Sequence, residues 1–331
     1  MAFSFTREEL EETARLVHQL VPPTPQHYWP LLSKRAGAEI VVKHENQTPL
    51  GAFKMRGGLV YMDNLKRREP DCPGVITATR GNHGQSVAFA AARAGFRAVV
   101  VVPHGNSVEK NAAMRALGAE LIEHGEDFQA AFEHAVSLAE REGLHMLPSY
   151  HPDLVRGVAI YGLELFSACP DLDRVYVPIG LGSGISGVIA ARDALDLKTQ
   201  VIGVVAENAP AYALSFEQKK LVSTNSADTM ADGVACRVPV EHAVDVILKG
   251  AERIVRVSEE EIKAAMRYYF TDTHNVAEGA AAAPLAACLK EKDSNAGQKI
   301  ALVLSGANVD LTLYRDVLIG ADAHAPSCGD T

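Results

Sequence analysis

A single lysine stands between an aromatic and an apolar residue in the segment 48–58, with glycines on both sides of it. Phe53 and Met55 would hold the Lys54 ammonium against apolar surface, which lowers the pKa of an amine and makes it a nucleophile towards carbonyl groups. The helical pattern over residues 58–68 places Lys54 just before or at a helix start. A surface lysine that keeps its ammonium in water is the ordinary alternative.

Three loops of the chain directly follow apolar segments that are typical of parallel strands. They are residues 79–84, 180–184 and 305–308. Open α/β sheets bind ligands at the carboxyl ends of their strands. The backbone amides of loop 180–184, with the start of the helix predicted after it, could hold an anion. Together with Lys54, residues 81–85 and 180–184 offer what a lysine-bound aldehyde carrying a phosphate would need.

The glycine pattern over residues 182–187 is not specific on its own. A dinucleotide-binding turn uses similar glycines, together with an acidic residue after the next strand. The run lacks such an acid at the end of a well-placed next strand, which disfavours NAD binding. Glu207, which follows the apolar segment 201–205, is the alternative candidate and keeps NAD binding open. The glycines lie one residue from Ser183 rather than two, which argues against the nucleophile elbow of hydrolases.

The elements that position these loops alternate between strands and helices. Continuous apolar runs such as 98–102, of the kind found in parallel sheets, alternate with alanine-rich helical segments such as 85–94. The alternation starts again after Pro148 and ends in an apolar strand at 300–304, while residues 208–238 are less regular. This order predicts an α/β protein with a doubly wound, mostly parallel sheet.

The overall composition limits the classes of partner. A chain of 331 residues predicts two domains or one large α/β unit. A net charge of -9 argues against nucleic acid and anionic membrane surfaces as partners. Without a signal segment or an apolar run long enough to span a bilayer, we expect a cytoplasmic protein with reduced thiols. Its widely spaced cysteines are Cys72, Cys169, Cys236, Cys288 and Cys328.

Five ordered segments resemble those of the fold-type II pyridoxal-phosphate enzymes. They are residues 49–58, 81–85, 177–184, 231–234 and 304–310. The resemblance runs from about Pro25 to about Leu318 and is greatest to the serine/threonine dehydratase (ammonia-lyase) family, which includes serine racemases. It implies two open, twisted, mostly parallel sheets flanked by helices, as in the tryptophan synthase β subunit. It also implies a large cofactor-binding domain, residues 1–66 and 153–331, and a small mobile domain, residues 74–151.

The resemblance assigns the cofactor-binding residues. Lys54 would bind the cofactor aldehyde covalently and then remove the substrate's Cα proton. Phe53 would lie beside the cofactor ring, Asn82 would hydrogen-bond its 3′-oxygen, and Ser305 would hydrogen-bond its pyridine nitrogen. A hydroxyl does not keep that nitrogen protonated, which favours elimination over transamination. The backbone amides that would hold the phosphate belong to Gly180, Leu181, Gly182, Ser183 and Gly184.

The expected substrate-binding residues come mainly from the loop before the Gln85 helix. The substrate carboxylate would be held by Thr79, Asn82 and His83. Arg80 could bind a second acidic group of the substrate or stack on an aromatic one, and a salt bridge away from the site is the alternative. Cys236 could face the substrate or be a small buried hydrophobe. Glu278 resembles a glutamate near the ring in relatives, and it could equally cap its own helix.

The chain departs from the family pattern at several positions. Ala52 stands where the lysine motif normally has serine, and Leu181 and Ser183 stand where glycines are usual. Racemases of this branch carry a serine, the base on the second face of the substrate, where this chain has Arg80. An arginine is permanently charged and cannot be that base. We therefore expect poor racemisation and dominant elimination.

The divalent-metal site of some relatives is only weakly retained. Glu207 and Ala211 match two of its positions, but Ala213 replaces its aspartate. Hard divalent ions need several oxygen ligands, so we expect no tight divalent site and leave room for a monovalent cation or water.

The sequence therefore predicts a cytoplasmic lyase that eliminates water from a 3-hydroxy amino acid and releases a 2-keto acid and ammonia. Threonine or serine is the default substrate, and threo-3-phenylserine or 3-hydroxyaspartate would better explain Arg80. A racemase of the same fold is the alternative, and a catalytically silent small-molecule binding protein is the rival from another class. We expect a homodimer that binds no nucleic acid or membrane.

Overall fold

A computed structural model describes residues 5–320 of the chain. The strands are β1 (Gln26–Tyr28), β2 (Glu39–His44), β3 (Gly74–Ala78), β4 (Arg97–Val102), β5 (Glu120–Glu123), β6 (His145–Met146), β7 (Arg174–Pro178), β8 (Gln200–Ala206), β9 (Arg253–Val257) and β10 (Lys299–Leu304). The α-helices are α1 (Arg7–Val17), α2 (Pro30–Ala36), α3 (Lys54–Arg68), α4 (Asn82–Ala94), α5 (Val108–Ala116), α6 (Phe128–Glu142), α7 (Pro152–Ala168), α8 (Ser183–Ala194), α9 (Ala211–Gln218), α10 (Glu241–Gly250), α11 (Glu259–Thr273), α12 (Gly279–Lys290), α13 (Lys292–Asn295) and α14 (Leu311–Ile319).

The strands form two separate sheets. The larger has six strands in the order β1-β2-β10-β7-β8-β9, and the smaller has four in the order β5-β4-β3-β6. Every strand pair is parallel except β1 with β2, which is antiparallel. The expected α/β architecture of two mostly parallel sheets flanked by helices is confirmed.

The valine run of β4 explains how the smaller sheet is covered. Val100 and Val102 belong to one hydrophobic cluster with residues of α4, whereas Val99 and Val101 belong to another with residues of α6. Because successive side chains of a strand point to opposite faces, a continuous apolar run needs a layer of helices on each face.

The structure contains elements that the sequence pattern does not predict. The less regular region contains α9, whose buried residues are mostly consecutive and so lack the spacing of an amphipathic helix. Strand β1 has only three residues and pairs along the edge of the sheet, too few to show an alternating pattern.

A buried group of charges fixes the first turns of α3. The Arg56 guanidinium donates to Glu45 Oε2 at 2.8 Å and to Glu164 Oε1 at 2.6 Å. Lys43 Nζ donates to Glu164 Oε2 at 2.6 Å. Two cations and two carboxylates thus compensate each other away from water, and removal of one partner leaves a buried charge uncompensated.

All strands of the smaller sheet come from one continuous part of the chain, between Gly74 and Met146. We propose that this part forms the small domain 74–151 and that residues 1–66 with 153–331 form the large one. The first four and last eleven residues of that large domain, Cys328 included, lie outside the described residues. Within residues 5–320, no helix has the length and apolar character that crossing a membrane requires.

Candidate active site

Lys54 is the first residue of α3, as the sequence predicts. Its Nζ lies 3.4 Å from the Ser183 hydroxyl and 5.0 Å from the centre of the Phe53 ring. Desolvation lowers the pKa of Lys54 to about 8, against the opposing effect of the Glu278 carboxylate. An amine with this pKa is uncharged in a substantial fraction of molecules near neutral pH, as a nucleophile or base requires.

The glycine loop joins β7 to α8 and is held tightly from both sides. A Cβ at Gly180 would lie 2.2 Å from the Gly233 carbonyl oxygen, so only glycine fits there. Gly182 has a φ of +96°, and the Tyr212 hydroxyl donates to the Leu181 carbonyl at 2.8 Å. Among residues 5–320, no side chain caps the N-terminus of α8. Its backbone amides are therefore available to an anion.

Asn82, the first residue of α4, is hydrogen-bonded at both ends of its side-chain amide. Its Nδ2 donates to Glu278 Oε1 at 2.8 Å, and its Oδ1 accepts from Asn308 Nδ2 at 2.8 Å. Asn82 lies beside the smaller sheet, whereas both partners follow elements of the larger sheet. The side chain of Asn82 therefore connects the two halves of the molecule.

The loop between β3 and α4 contains the other expected substrate-binding residues. The Thr79 hydroxyl accepts from the Gly81 amide at 3.1 Å, and no side chain caps α4. His83 is buried, desolvation lowers its pKa to about 3, and its Nε2 has no hydrogen-bond partner within residues 5–320. Arg80 is exposed and forms no ion pair with any described residue, so the structure does not support the salt bridge considered above.

Ser305 is buried at the end of β10, directly opposite the lysine segment. Its carbonyl accepts from the Phe53 amide at 3.1 Å, and Gly306 pairs with Ala52 in an isolated β-bridge. The loop after β10 and the start of α3 are thus held together by backbone hydrogen bonds. Cys236 is also buried, and desolvation raises the pKa of its thiol to about 12.

The two retained positions of the predicted metal site, Glu207 and Ala211, do not form part of a metal-binding cluster among the described residues. Glu207 is exposed and Ala211 is buried at the start of α9. In the part of the chain that the structure describes, no group of three or more His, Cys, Asp or Glu side chains could hold a metal ion. Whether a monovalent cation binds stays an open prediction.

Two polar contacts at the site were not predicted from the sequence. The buried Lys110 ammonium on α5 pairs with Asp232, and its Nζ lies 3.2 Å from the position of a Cβ at Gly81. Asn308 binds Asn82, as described above. Asp232 and Asn308 both lie in segments that resemble the family, but their partners are far away in the sequence, and a local pattern does not reveal such pairs.

The residues present fit pyridoxal phosphate. The half-buried, partly desolvated amine of Lys54 suits its aldehyde, and the uncapped start of α8 suits its phosphate. Buried polar atoms without partners among the described residues, Glu278 Oε2 and His83 Nε2, border the same region. Buried polar groups are normally hydrogen-bonded, so these atoms indicate a site for a polar ligand.

Comparison with known proteins agrees with this geometry. The family model described as pyridoxal-phosphate dependent enzyme matches residues 17–306. The chain is 35% identical to an L-threonine ammonia-lyase of Thermotoga maritima, over 95% of this chain and 78% of that protein. It is 32% identical to the catabolic L-threonine dehydratase of Escherichia coli, over 88% of this chain and 89% of that protein.

Solved structures give the same result. The processed form of threonine deaminase isoform 2 from Solanum lycopersicum superposes with a TM-score of 0.87 at 30% identity, covering 97% of this chain and 96% of that one. A pyridoxal 5′-phosphate-dependent aspartate racemase superposes with a TM-score of 0.89 at 29% identity, covering 94% of this chain and 98% of that one. The chain therefore belongs to the family of pyridoxal-phosphate-dependent enzymes, and it is a lyase within that family.

Proposed function

We propose that this lyase eliminates water from a 3-hydroxy amino acid and releases a 2-keto acid and ammonia. The observation that carries the proposal is the half-buried amine of Lys54, which lies 3.4 Å from the Ser183 hydroxyl of the glycine loop and has a lowered pKa. The similarity to threonine ammonia-lyases supports the same reaction class. When bound, pyridoxal phosphate supplies an electron-accepting ring that acidifies the substrate's Cα–H bond.

Lys54 is the base that takes the Cα proton. Desolvation holds the pKa of its amine at about 8, so the uncharged form is accessible at neutral pH. The Ser183 hydroxyl, 3.4 Å away, gives the amine a fixed hydrogen-bond partner at the start of α8. This contact directs the amine towards the phosphate-binding end of the site.

The start of α4 binds the substrate carboxylate. The backbone amides of Asn82 and His83 are in the first turn of an uncapped helix, where a carboxylate is stabilised by free N–H groups and by the helix dipole. The Thr79 hydroxyl accepts from Gly81 and keeps its own hydrogen free to donate to the same carboxylate.

Ser305 favours elimination over transamination. Its hydroxyl is buried and forms no hydrogen bond to the described residues, so it is available to a ring nitrogen. A neutral hydroxyl, unlike a carboxylate, does not hold a proton on that nitrogen. Electron density then stays on the substrate carbon atoms, where it can expel the β-hydroxyl.

Release of 2-keto acid from purified protein tests the proposal. Threonine, serine, threo-3-phenylserine and 3-hydroxyaspartate are supplied separately to the wild type and to Lys54→Ala. We expect keto acid from at least one substrate with the wild type and none above background with the variant. Absence of keto acid from every substrate, in protein that retains pyridoxal phosphate, would contradict the proposed elimination.

An amino-acid racemase is the second candidate, because the fold also superposes on a maize serine racemase with a TM-score of 0.88 at 26% identity. The arginine at position 80 argues against it, since a permanently charged guanidinium cannot serve as the second base. Chiral chromatography of the same reactions distinguishes the two activities. Conversion of one enantiomer into the other without keto acid would favour the racemase.

A further inference from the structure

The Glu278 side chain turns away from the helix that it precedes. Glu278 is the N-cap residue of α12, yet its carboxylate makes no capping hydrogen bond to that helix. Instead, Oε1 accepts from Asn82 Nδ2 at 2.8 Å, although Asn82 lies 196 residues away in the chain. Glu278 therefore occupies the N-cap position, but its side chain does not cap the helix.

The surroundings of this carboxylate are built to accommodate it. Glu278 is only 4% exposed, and a Cβ at Gly306 would lie 2.6 Å from its Oε1. Any larger residue at position 306 would displace the carboxylate from Asn82. The second oxygen, Oε2, is buried without a hydrogen-bond partner in the described part of the chain. Because an unsatisfied buried oxygen is destabilising, stability alone does not account for this glutamate.

The hydrogen bonds of Asn82 fix the direction of its amide. Asn308 Nδ2 donates to Asn82 Oδ1, which identifies the carbonyl end, and Glu278 accepts from the amino end. A side-chain amino group has two N–H bonds, and Glu278 uses one of them. The second N–H of Asn82 stays available to a ligand.

We propose that Glu278 is a positioning residue for the cofactor. It acts through Asn82, whose free N–H it directs at the ring oxygen of pyridoxal phosphate, and it does so from the opposite half of the molecule. The inference rests on the cofactor of the proposed function, and it does not depend on which reaction follows.

Charged groups on three other elements also face Glu278. Burial raises the pKa of its carboxyl to about 7, while Lys110 and Lys54 favour the ionised form and Asp232 disfavours it. Lys110 is already paired with Asp232. Among the described residues, Asn82 makes the side-chain hydrogen bond to Glu278, whereas the two lysines act on it through their charge.

A double-mutant cycle tests whether Glu278 acts through Asn82. The dissociation constant of pyridoxal phosphate is measured by equilibrium ultrafiltration of holoenzyme for the wild type, Glu278→Ala, Asn82→Ala and the double variant. We expect each single variant to weaken binding about tenfold, and the double variant to bind about as weakly as either single one. Effects that multiply in the double variant, or an unchanged constant in Glu278→Ala, would overturn the proposal.

Two further variants make the result specific. Glu278→Gln keeps an oxygen that accepts from Asn82, so it should bind within about threefold of the wild type. A loss as large as that of Glu278→Ala would show that charge, not orientation, matters, and would also overturn the proposal. If Glu278→Ala does not fold, Glu278→Met fills the same volume without an acceptor and takes its place in the cycle. Glu291→Gln, at the ion pair with Arg253, is the matched control and should not change binding.

Because the readout is cofactor binding, failure of this inference and failure of the proposed elimination are distinguishable. An enzyme that releases keto acid but shows multiplicative effects refutes only the role of Glu278. An enzyme that shows the expected cycle but releases no keto acid refutes only the reaction.

Discussion

The amine of Lys54 and the hydroxyl of Ser183 lie 3.4 Å apart. Ser183 is the first residue of α8, whose amides, uncapped by any described side chain, border the predicted anion site. Lys54, the proposed nucleophile, and the predicted phosphate-binding helix are therefore in direct contact. The family usually has glycine at the position of Ser183 and serine at the position of Ala52. In this chain, the Ser183 hydroxyl therefore gives the lysine a hydrogen-bond partner, whereas position 52 offers none.

Lys54→Ala should abolish turnover. Without the amine, neither covalent binding of the aldehyde nor proton removal from Cα is possible. We expect keto-acid formation to fall by about 10³-fold or more. The measurement is the initial rate at saturating pyridoxal phosphate, with circular dichroism to verify the fold. A variant that retains a tenth of the activity would exclude Lys54 as the base.

Removal of the desolvated amine of Lys54 should also change how stability depends on pH. Desolvation lowers the pKa of Lys54 to about 8, below the usual value of 10.5, so between these pH values the unfolded chain binds more protons than the folded one. This group therefore makes the fold more stable as pH rises through that window. In protein stripped of cofactor, Lys54→Met should exceed the wild type in stability below about pH 8. The difference should shrink towards about pH 10. Urea unfolding at several pH values measures it, and a constant difference would refute the lowered pKa.

Glycines of the 180–184 loop should differ in their tolerance of alanine. A Cβ at Gly180 would lie 2.2 Å from the Gly233 carbonyl oxygen, whereas the nearest atom to a Cβ at Gly184 is at 3.5 Å, an ordinary contact. Gly180→Ala should weaken binding of pyridoxal phosphate by about 1–3 kcal/mol because the loop must shift. Gly184→Ala is the matched control and should lose less. Equal losses would show that the close approach at Gly180 does not shape the site.

Arg80→Ala tests the substrate class. The guanidinium is exposed, and no ion pair within residues 5–320 neutralises it. If it binds a second carboxylate, kcat/KM for 3-hydroxyaspartate should fall at least tenfold in the variant, since charge-assisted hydrogen bonds contribute about 1.5–3 kcal/mol. The value for threonine should change little. Parallel losses on both substrates would indicate a general role of Arg80 in the site.

The buried charges beneath α3 should matter more to stability than exposed ones. Glu164 accepts from both Arg56 and Lys43, so Glu164→Ala leaves two buried cations without this partner. We expect the free energy of unfolding to fall by about 3–5 kcal/mol. The control is Glu120→Ala at the exposed pair with Arg97, where the change should stay below about 1 kcal/mol. Guanidinium unfolding followed by circular dichroism compares the two variants.

The sequence predicts the parts of the site that depend on local pattern. Lys54 at a helix start follows from the helical spacing after it, and the loops after β7 and β10 follow from the apolar strands before them. The pairing of Asn82 with Glu278 and Asn308 was not predictable, because these residues are 196 and 226 positions apart. Local periodicity in a sequence does not predict which side chains come into contact between two sheets.

Loss of the expected metal aspartate at Ala213 is visible in the sequence, but the exposure of Glu207 is not. The sequence pattern also does not predict helix α9. Its buried residues are mostly consecutive, so they lack the spacing that distinguishes a helix from an irregular segment. Tertiary packing determines both the exposure of Glu207 and the formation of α9, and the composition of a short segment does not show tertiary packing.

The pairing of β2 with β10 has a consequence for synthesis of the protein on the ribosome. These neighbouring strands are far apart in the sequence, with His44 in register with Leu304. The larger sheet can therefore be completed only after β10 has left the exit tunnel, whereas the smaller sheet is complete once β6 has emerged. Until β10 arrives, the hydrogen-bonding edge of β2 is open to other nascent chains. This edge of β2 is therefore a position where strands can mispair until β10 has emerged.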